Sequence, residues 1–179
     1  MVYVFLAEGF EETEAIAPID ILRRSGVEVR TVGVGGKTIK SSHGIVVTAD
    51  LSENEIDPDG LEAVILPGGM PGTLNLEASK TVQSYIDFAD ANDLLICAIC
   101  AAPSILGHKD LLKGRRATCF PGFEKDLYGA EVTDLPAVAD GNFITGKGAG
   151  AAVEFGLKIS EALCGAATAK KVRESMQCP

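Results

Sequence analysis

The chain has 179 residues, of which 46% are hydrophobic and 23% charged, and its formal net charge is −9 at pH 7. This length and composition are typical of one globular domain with a full core. The acidic balance argues against nucleic acid and acidic membranes as partners. Five cysteines, an odd number in a chain of this size, indicate free thiols in a reducing compartment, which predicts a cytoplasmic protein.

Apolar runs alternate with helical patterns along the chain. Strands are predicted at residues 1–6, 27–34, 37–42, 44–47, 63–66 and 94–99, and helices at 11–25, 79–92 and 101–113. Pro18 inside the first helix predicts a kink or a later start. The first run lacks the basic residues of a signal peptide, and the longest apolar stretch is too short to cross a bilayer. Further on, the predicted elements are a strand at 117–120, a hairpin of 137–138 and 143–145, and helices at 151–163 and 168–176.

Alternating strands and helices predict an α/β fold with a mostly parallel sheet covered on both faces. In such sheets, ligands bind at the carboxyl ends of the strands. Three features fall at such ends: the acidic segment 8–14, the Gly68-Gly69 pair and Cys100. The fold class therefore predicts that these three features meet in one crevice.

Cys100 has the sequence context of a reactive thiol. Ala98 and Ala102 flank it at two residues on each side, which is the pattern of a strand-to-helix nucleophile elbow with alanine for glycine and cysteine for serine. A thiol at a helix N terminus faces free N–H groups, which favour the thiolate and predict a lowered pKa. The alternative is a buried core cysteine, since free cysteine is among the most buried residue types.

Four motifs, taken together and in order, resemble the ThiJ/PfpI superfamily, in particular the branch of the parkinsonism-associated protein deglycase. They are the stretches at residues 7–14, 66–69, 98–103 and 145–150, the last with the Glu154-Phe155 helix after it. The resemblance implies a flavodoxin-like (Rossmann-like) three-layer sandwich in one domain over residues 1–179, of the class I glutamine amidotransferase-like type. It also implies a nucleophile elbow that bears cysteine, and commonly a homodimer.

The implied site consists of Cys100 as nucleophile, with backbone N–H groups of Gly68, Gly69 and Ala101 for the oxyanion and substrate. An ordinary turn after Pro67 is the alternative for the two glycines. Three acids open the first helix, and charge complementarity with the helix dipole would explain them all equally. The family pattern singles out Glu14 as the carboxyl beside the cysteine. Repulsion from a thiolate predicts a raised pKa for Glu14, which would donate a hydrogen bond to sulfur and move a proton.

One departure from the family pattern concerns histidine. Family members often place histidine near the cysteine, and Phe120 stands there in this chain. Of the two histidines, His43 precedes a strand, and His108 at a helix end is interpreted as a partner of the helix dipole. No Cys–His pair is evident, which argues against a papain-like protease and favours Cys–Glu chemistry.

Other sequence signals point to no cofactor and no metal. Cys97 and Cys100 form a C-x-x-C at the end of a strand, where a redox pair is disfavoured and Cys97 is predicted to be core. The glycine run 146–150 is interpreted as a tight turn at the mouth of the site rather than a nucleotide loop. Cys119 is a candidate second oxidisable thiol.

The resemblance predicts a cysteine-dependent enzyme for reactive α-oxoaldehydes. It would be a glutathione-independent glyoxalase or a protein deglycase, with a small aldehyde or a glycated adduct as its partner. The alternative is a redox sensor or stress chaperone that works through oxidation of Cys100. A weaker alternative is an amidase, a protease or an enzyme of thiazole monophosphate biosynthesis.

Overall fold

A computed structural model describes residues 1–178; Pro179, the last residue of the predicted domain, lies outside the described residues. The strands are β1 (Val2–Leu6), β2 (Val29–Gly33), β3 (Thr38–Lys40), β4 (Val46–Thr48), β5 (Leu51–Ser52), β6 (Ala63–Leu66), β7 (Leu95–Ile99), β8 (Arg116–Ala117), β9 (Glu131–Val132), β10 (Ala137–Asp140) and β11 (Phe143–Gly146). The helices are α1 (Glu12–Arg24), α2 (Gly72–Ala78), α3 (Lys80–Ala91), α4 (Pro103–His108), α5 (Ala152–Cys164) and α6 (Ala166–Ser175). Among residues 1–178, no helix has both the length and the apolar composition that a bilayer span requires.

The main sheet has seven strands in the order β10-β11-β7-β6-β1-β2-β5. All neighbouring pairs in it are parallel except β10 and β11, which form the predicted hairpin. The strand order reverses direction between β1 and β6. After β1 the chain forms β2 on one side of β1, and it later forms β6 and β7 on the other side. At this reversal the connections leave in opposite directions, and sheets of this kind bind ligands at the carboxyl ends of the strands there.

Helices cover both faces of the sheet and create two cores. On one face, α2, α3 and α4 pack against side chains such as Phe5 and Leu66. On the other face, α1 and α5 pack against side chains such as Val4 and Ile65. Because successive side chains of a strand point to opposite faces, a strand buried on both sides has an unbroken apolar sequence. The predicted α/β sandwich with a mostly parallel sheet is confirmed.

Several elements differ from their predicted form. α1 is continuous from Glu12 through Pro18 to Arg24, so the predicted late start is wrong. α4 covers only Pro103–His108, where a helix over residues 101–113 was predicted. The elbow occupies the residues before it, and Asp110, with φ +58°, cannot continue the helix after it. The short elements β5, β9 and α2 were not predicted, since two to seven residues hold too few side chains for a period to emerge.

Candidate active site

Cys100 lies just past β7 in a backbone conformation that few residues other than glycine adopt. Its φ is +66°, in the left-handed region. Two main-chain hydrogen bonds hold it there: its N–H donates to the Gly146 carbonyl at 2.9 Å, and its carbonyl accepts from the Phe120 N–H at 2.8 Å. Strain of this kind persists where the surroundings over-determine it, and it is typical of nucleophile elbows.

Glu14 is buried in α1 with 1% of its surface exposed. One of its carboxylate oxygens, Oε2, accepts the N–H of Gly68 at 3.0 Å. The carboxylate also hydrogen-bonds to the main chain of Ala149 and to the side chain of Cys100. The structure therefore brings Cys100 and Glu14 together, as the family pattern implied.

The three acids at the start of α1 are not equivalent. Glu11 caps the helix, where its carboxylate accepts the N–H of Glu14 at 2.7 Å. Glu12 faces the surface and bonds to the ring of His43 at 3.1 Å. Only Glu14 points inward to the crevice. Helix-dipole complementarity accounts for Glu11 and Glu12, and it does not account for the buried Glu14.

Gly68 and Gly69 allow a close approach that other residues would block. A Cβ on Gly68 would lie 2.6 Å from the Cβ of Cys100 and 2.7 Å from Oε2 of Glu14. Gly69 has φ +92°, and a Cβ there would lie 2.4 Å from the main-chain nitrogen of Glu11. The pair is thus more than a turn after Pro67. The Gly68 N–H is bonded to Glu14, so Gly68 positions the acid and is not the oxyanion donor that was expected from the sequence.

The N–H groups of Gly69 and Ala101 converge on the Cys100 sulfur. Both hydrogen-bond to it and lower its pKa. They come from two different strand ends, since Gly69 follows β6 and Ala101 follows β7. Donors placed in this way suit an oxyanion that forms beside the sulfur.

The ionisation of Glu14 and Cys100 is coupled. Burial raises the pKa of Glu14 to about 7, as predicted in direction. Burial also raises the pKa of Cys100 to about 12, and the charge of Glu14 and its hydrogen bond to the thiol act in the same direction. The expected lowering of the Cys100 pKa is wrong, because these effects outweigh the nearby N–H donors. Since each charge disfavours the other, the pair retains at least one proton at neutral pH and loses its first proton near pH 7.

Both histidines are engaged with carboxylates away from the thiol. His43 bonds to Glu12, and Nδ1 of His108 lies 2.5 Å from Oε1 of Glu77. His108 lies in the last turn of α4, at the helix end where it was expected as a partner of the helix dipole, and its ring also contacts the Glu77 carboxylate. Within residues 1–178, which include both histidines, Cys100 therefore has a carboxyl partner and no imidazole partner.

The remaining cysteines lack this environment. All five cysteines are free thiols, as predicted. Cys97 is fully buried in β7, and burial raises its pKa well above the usual range. Cys119 is buried, and burial together with the charges of Glu124 and Asp126 raises its pKa to about 11. Both side chains are buried, with 0% and 4% of their surface exposed, so reagents reach them less readily than they reach the half-buried Cys100.

In the part of the chain that the structure describes, one group of side chains brings metal-ligand atoms close together. It comprises Glu11, Glu12 and His43, whose ligand atoms lie within 4.8 Å of one another. His43 is exposed and already bonds to Glu12, while Glu11 caps α1. These bonds explain the arrangement, and we assign no metal to it.

Comparison with known proteins places the chain in a family. The model of the DJ-1/PfpI family matches residues 1–162. The chain belongs to the DJ-1/PfpI family. Among the curated members, it is 36% identical over 176 residues to the protein dj-1beta of Drosophila melanogaster, covering 97% of this chain and 94% of that protein. It is 32% identical over 149 residues to a protein of Pyrococcus abyssi named deglycase, covering 82% of this chain and 89% of that protein.

A solved structure of this DJ-1/PfpI family supports the fold. A cysteine-to-alanine mutant of a DJ-1 superfamily protein from Salmonella typhimurium superposes with a TM-score of 0.93 and 39% identity, covering 99% of this chain and 98% of that one. The flavodoxin-like architecture of this family member is thereby confirmed. The one residue of the site that was not singled out from the sequence is Ala149. Its signal in the sequence was the glycine run 146–150, which was interpreted as a tight turn at the mouth of the site, and its main chain hydrogen-bonds to the Glu14 carboxylate.

Proposed function

We propose that this DJ-1/PfpI family protein is a cysteine-dependent enzyme for reactive α-oxoaldehydes, which converts methylglyoxal to lactate without glutathione. The observation that carries the proposal is the buried Glu14 carboxyl hydrogen-bonded to the Cys100 thiol, with a pKa raised to about 7. A carboxyl of this kind both gives and accepts a proton near neutral pH. The relative named deglycase in Pyrococcus abyssi supports the same substrate class.

The first step is addition of sulfur to the aldehyde carbon. The pair carries one proton, and the reactive form has it on Glu14 and the negative charge on Cys100. The sulfur forms a bond to the aldehyde carbon, and the carbonyl oxygen takes the proton from Glu14 to give a hemithioacetal. The N–H groups of Gly69 and Ala101 stabilise the charge on that oxygen as it develops.

The second step moves hydrogen between the two carbons of the substrate. The Glu14 carboxylate removes the proton from the former aldehyde carbon, which leaves an enediolate. Glu14 then returns this proton to the neighbouring carbon, and the hydroxyl proton of the former aldehyde oxygen passes to the oxygen on that neighbouring carbon. This leaves a lactate thioester on Cys100, which water hydrolyses to lactate and free thiol. One water is consumed, and no electron acceptor is required. Asp at position 14 would be too short, and Gln would hold the hydrogen bonds without moving a proton.

Lactate formation from methylglyoxal tests the proposal directly. Cys100→Ser and Glu14→Gln should each lower kcat/KM by about 10³-fold, because each removes one half of the reacting pair. Cys97→Ala and Glu12→Gln are the matched controls, and both should remain active. In the wild type, activity should rise through pH 7 as the pair loses its first proton. Full turnover in Cys100→Ser would contradict the proposal.

Deglycase activity is the related form of the same chemistry. An early adduct of methylglyoxal with a cysteine or lysine side chain releases free methylglyoxal spontaneously. A true deglycase frees the amine or thiol faster than this spontaneous release, whereas a glyoxalase cannot exceed it. Following adduct decay and lactate together at several enzyme concentrations therefore separates the two activities.

A redox sensor is the second candidate, and it is supported by the donors around the Cys100 sulfur. A sulfinate there would find the N–H groups of Gly69 and Ala101 and a protonated Glu14 as hydrogen-bond donors. It is favoured if folded, reduced wild-type protein forms no lactate and peroxide oxidises Cys100 selectively. Intact mass and peptide mapping after peroxide treatment give that answer, and oxidation spread evenly over the five cysteines would argue against a sensor.

A further inference from the structure

A cavity of about 520 Å³ adjoins the Cys100–Glu14 pair. Two of its lining residues are bonded to the pair itself. The N–H of Phe120 donates to the carbonyl of Cys100 at 2.8 Å, and the main chain of Ala149 hydrogen-bonds to the carboxylate of Glu14. Cys100 and Glu14 do not themselves line the cavity, which is joined to the pair through the main chain of Phe120 and Ala149.

The lining of the cavity is largely apolar. Its apolar members are Phe120, Pro121, Pro136, Ala149 and Ala151. Its two charged side chains, Lys147 and Asp134, bond to each other at 2.5 Å, so they offer no uncompensated charge to a ligand. A site of this composition favours a neutral, apolar group over a charged or strongly hydrated one.

Phe120 is the largest apolar side chain in this lining. Its surface is 47% exposed, and its ring lies against Gly148, where an added Cβ would be 3.3 Å from the ring. An aromatic face left open to a cavity gains from burial when a ligand ring or branched alkyl group covers it. The methyl group of methylglyoxal is too small to cover it.

The main chain is closely packed around Gly68 and Gly69, next to Cys100. The space where a Cβ of Gly68 would stand is occupied by Cys100 and Glu14, and that of Gly69 by the main chain of residues 9–11. When the aldehyde carbon is bonded to sulfur, the group on the neighbouring ketone carbon must extend away from these glycines. Two cavities border this region: one of about 580 Å³ beside Met70, whose lining includes Glu8, Lys40 and His43, and the largely apolar one beside Phe120. An apolar substituent favours the second.

Resting on the proposed function, we propose that this cavity receives the apolar substituent of an aryl or branched-alkyl α-oxoaldehyde, and that Phe120 determines this specificity. Filling an apolar pocket with a ring in place of a methyl group is worth roughly 10- to 200-fold in kcat/KM. The preferred substrates are therefore larger and less polar than methylglyoxal.

Turnover of a matched pair of substrates tests the specificity. Wild-type protein should convert phenylglyoxal to mandelate with a kcat/KM at least about 10-fold above that for methylglyoxal. Phe120→Ala should lower this ratio about 10-fold, and Phe88→Ala, which removes an exposed ring from α3, should leave it unchanged. Equal kcat/KM values for the two aldehydes in the wild type, or an unchanged ratio in Phe120→Ala, would overturn the proposal.

Alkylation of Cys100 tests the cavity without turnover. Iodoacetamide and its N-phenyl analogue both transfer their carbon to sulfur, with loss of iodide and of the thiol proton. After normalisation to a small thiol in solution, Cys100 should prefer the phenyl reagent about 10-fold, and Phe120→Ala should abolish that preference while Phe88→Ala keeps it. Peptide mapping assigns the modified residue.

The two measurements separate the two proposals. If neither aldehyde is converted and the phenyl preference in alkylation persists, the α-oxoaldehyde activity is wrong and the aryl cavity stands. If lactate forms but neither aryl preference exists, the cavity assignment is wrong and the enzyme activity stands.

Discussion

Cys97 and Cys100 lie three residues apart in the sequence and have opposite chemical environments. Cys97 is inside β7, in regular strand geometry, with no exposed surface and with burial as the sole cause of its raised pKa. Cys100 is one residue past the same strand, in left-handed geometry, half-buried against a carboxyl and two N–H donors. The difference shows that the environment of a thiol in this protein depends on its position relative to the strand end, where a carboxyl and two N–H donors are close to Cys100.

The largest difference between the two thiols should appear in their reaction rates. In the native protein, iodoacetamide should alkylate Cys100 at least about 10³-fold faster than Cys97, because Cys97 reacts only after the core opens. Quenched time points and peptide mapping give both rates. In guanidinium the two rates should become similar, and comparable rates in the native protein would mean that the strand end confers no special access.

The second largest effect should be a pH dependence of the free energy of unfolding, caused by the ionisation of Glu14. The folded-state pKa of Glu14 is about 7, against an ordinary value of 4.5. Between these values the folded protein binds more protons than the unfolded chain, so the free energy of unfolding falls as pH rises. At about 1.36 kcal/mol per pH unit, the loss is ~3 kcal/mol by pH 7 and above. Urea unfolding from pH 4 to 8 measures it.

Two variants identify the origin of that loss. Glu14→Gln should remove most of the slope, because the amide does not ionise. Cys100→Ser keeps the carboxyl buried, and burial is the largest cause of the raised pKa, so most of the slope should remain. A slope that survives in Glu14→Gln would assign the pH dependence to another group.

The close packing at Gly68 should produce a smaller but measurable effect. Gly68→Ala introduces a methyl group 2.6 Å from the Cβ of Cys100, which forces the two strand ends apart. We expect a loss of about 1–3 kcal/mol in the free energy of unfolding and of roughly 100-fold in lactate formation. Gly150→Ala is the control for stability, since a Cβ there meets open space. An unchanged melting temperature in Gly68→Ala would show that the strand ends can move apart without loss of stability.

The sequence by itself determined the fold class and the location of the thiol. Buried parallel strands need continuous apolar runs, so β1, β6 and β7 are visible as such, and the small residues Ala98 and Ala102 mark the elbow around Cys100. The four motifs indicate the family from the sequence alone. These features are local, because each depends on residues adjacent in the chain.

The family pattern named Glu14 as the partner of that thiol, but only the tertiary structure gives the physical reason and the environment of the pair. Glu11, Glu12 and Glu14 have the same chemistry and neighbouring positions, and packing alone directs Glu14 inward. The use of the Gly68 N–H by Glu14 and the approach of Ala149 involve contacts more than fifty residues apart in the chain. The rise in the Cys100 pKa likewise follows from burial and from the charge of Glu14 on α1, neither of which the sequence around residue 100 contains. Local pattern specifies where a strand ends, whereas burial and distant contacts specify the chemistry at that end.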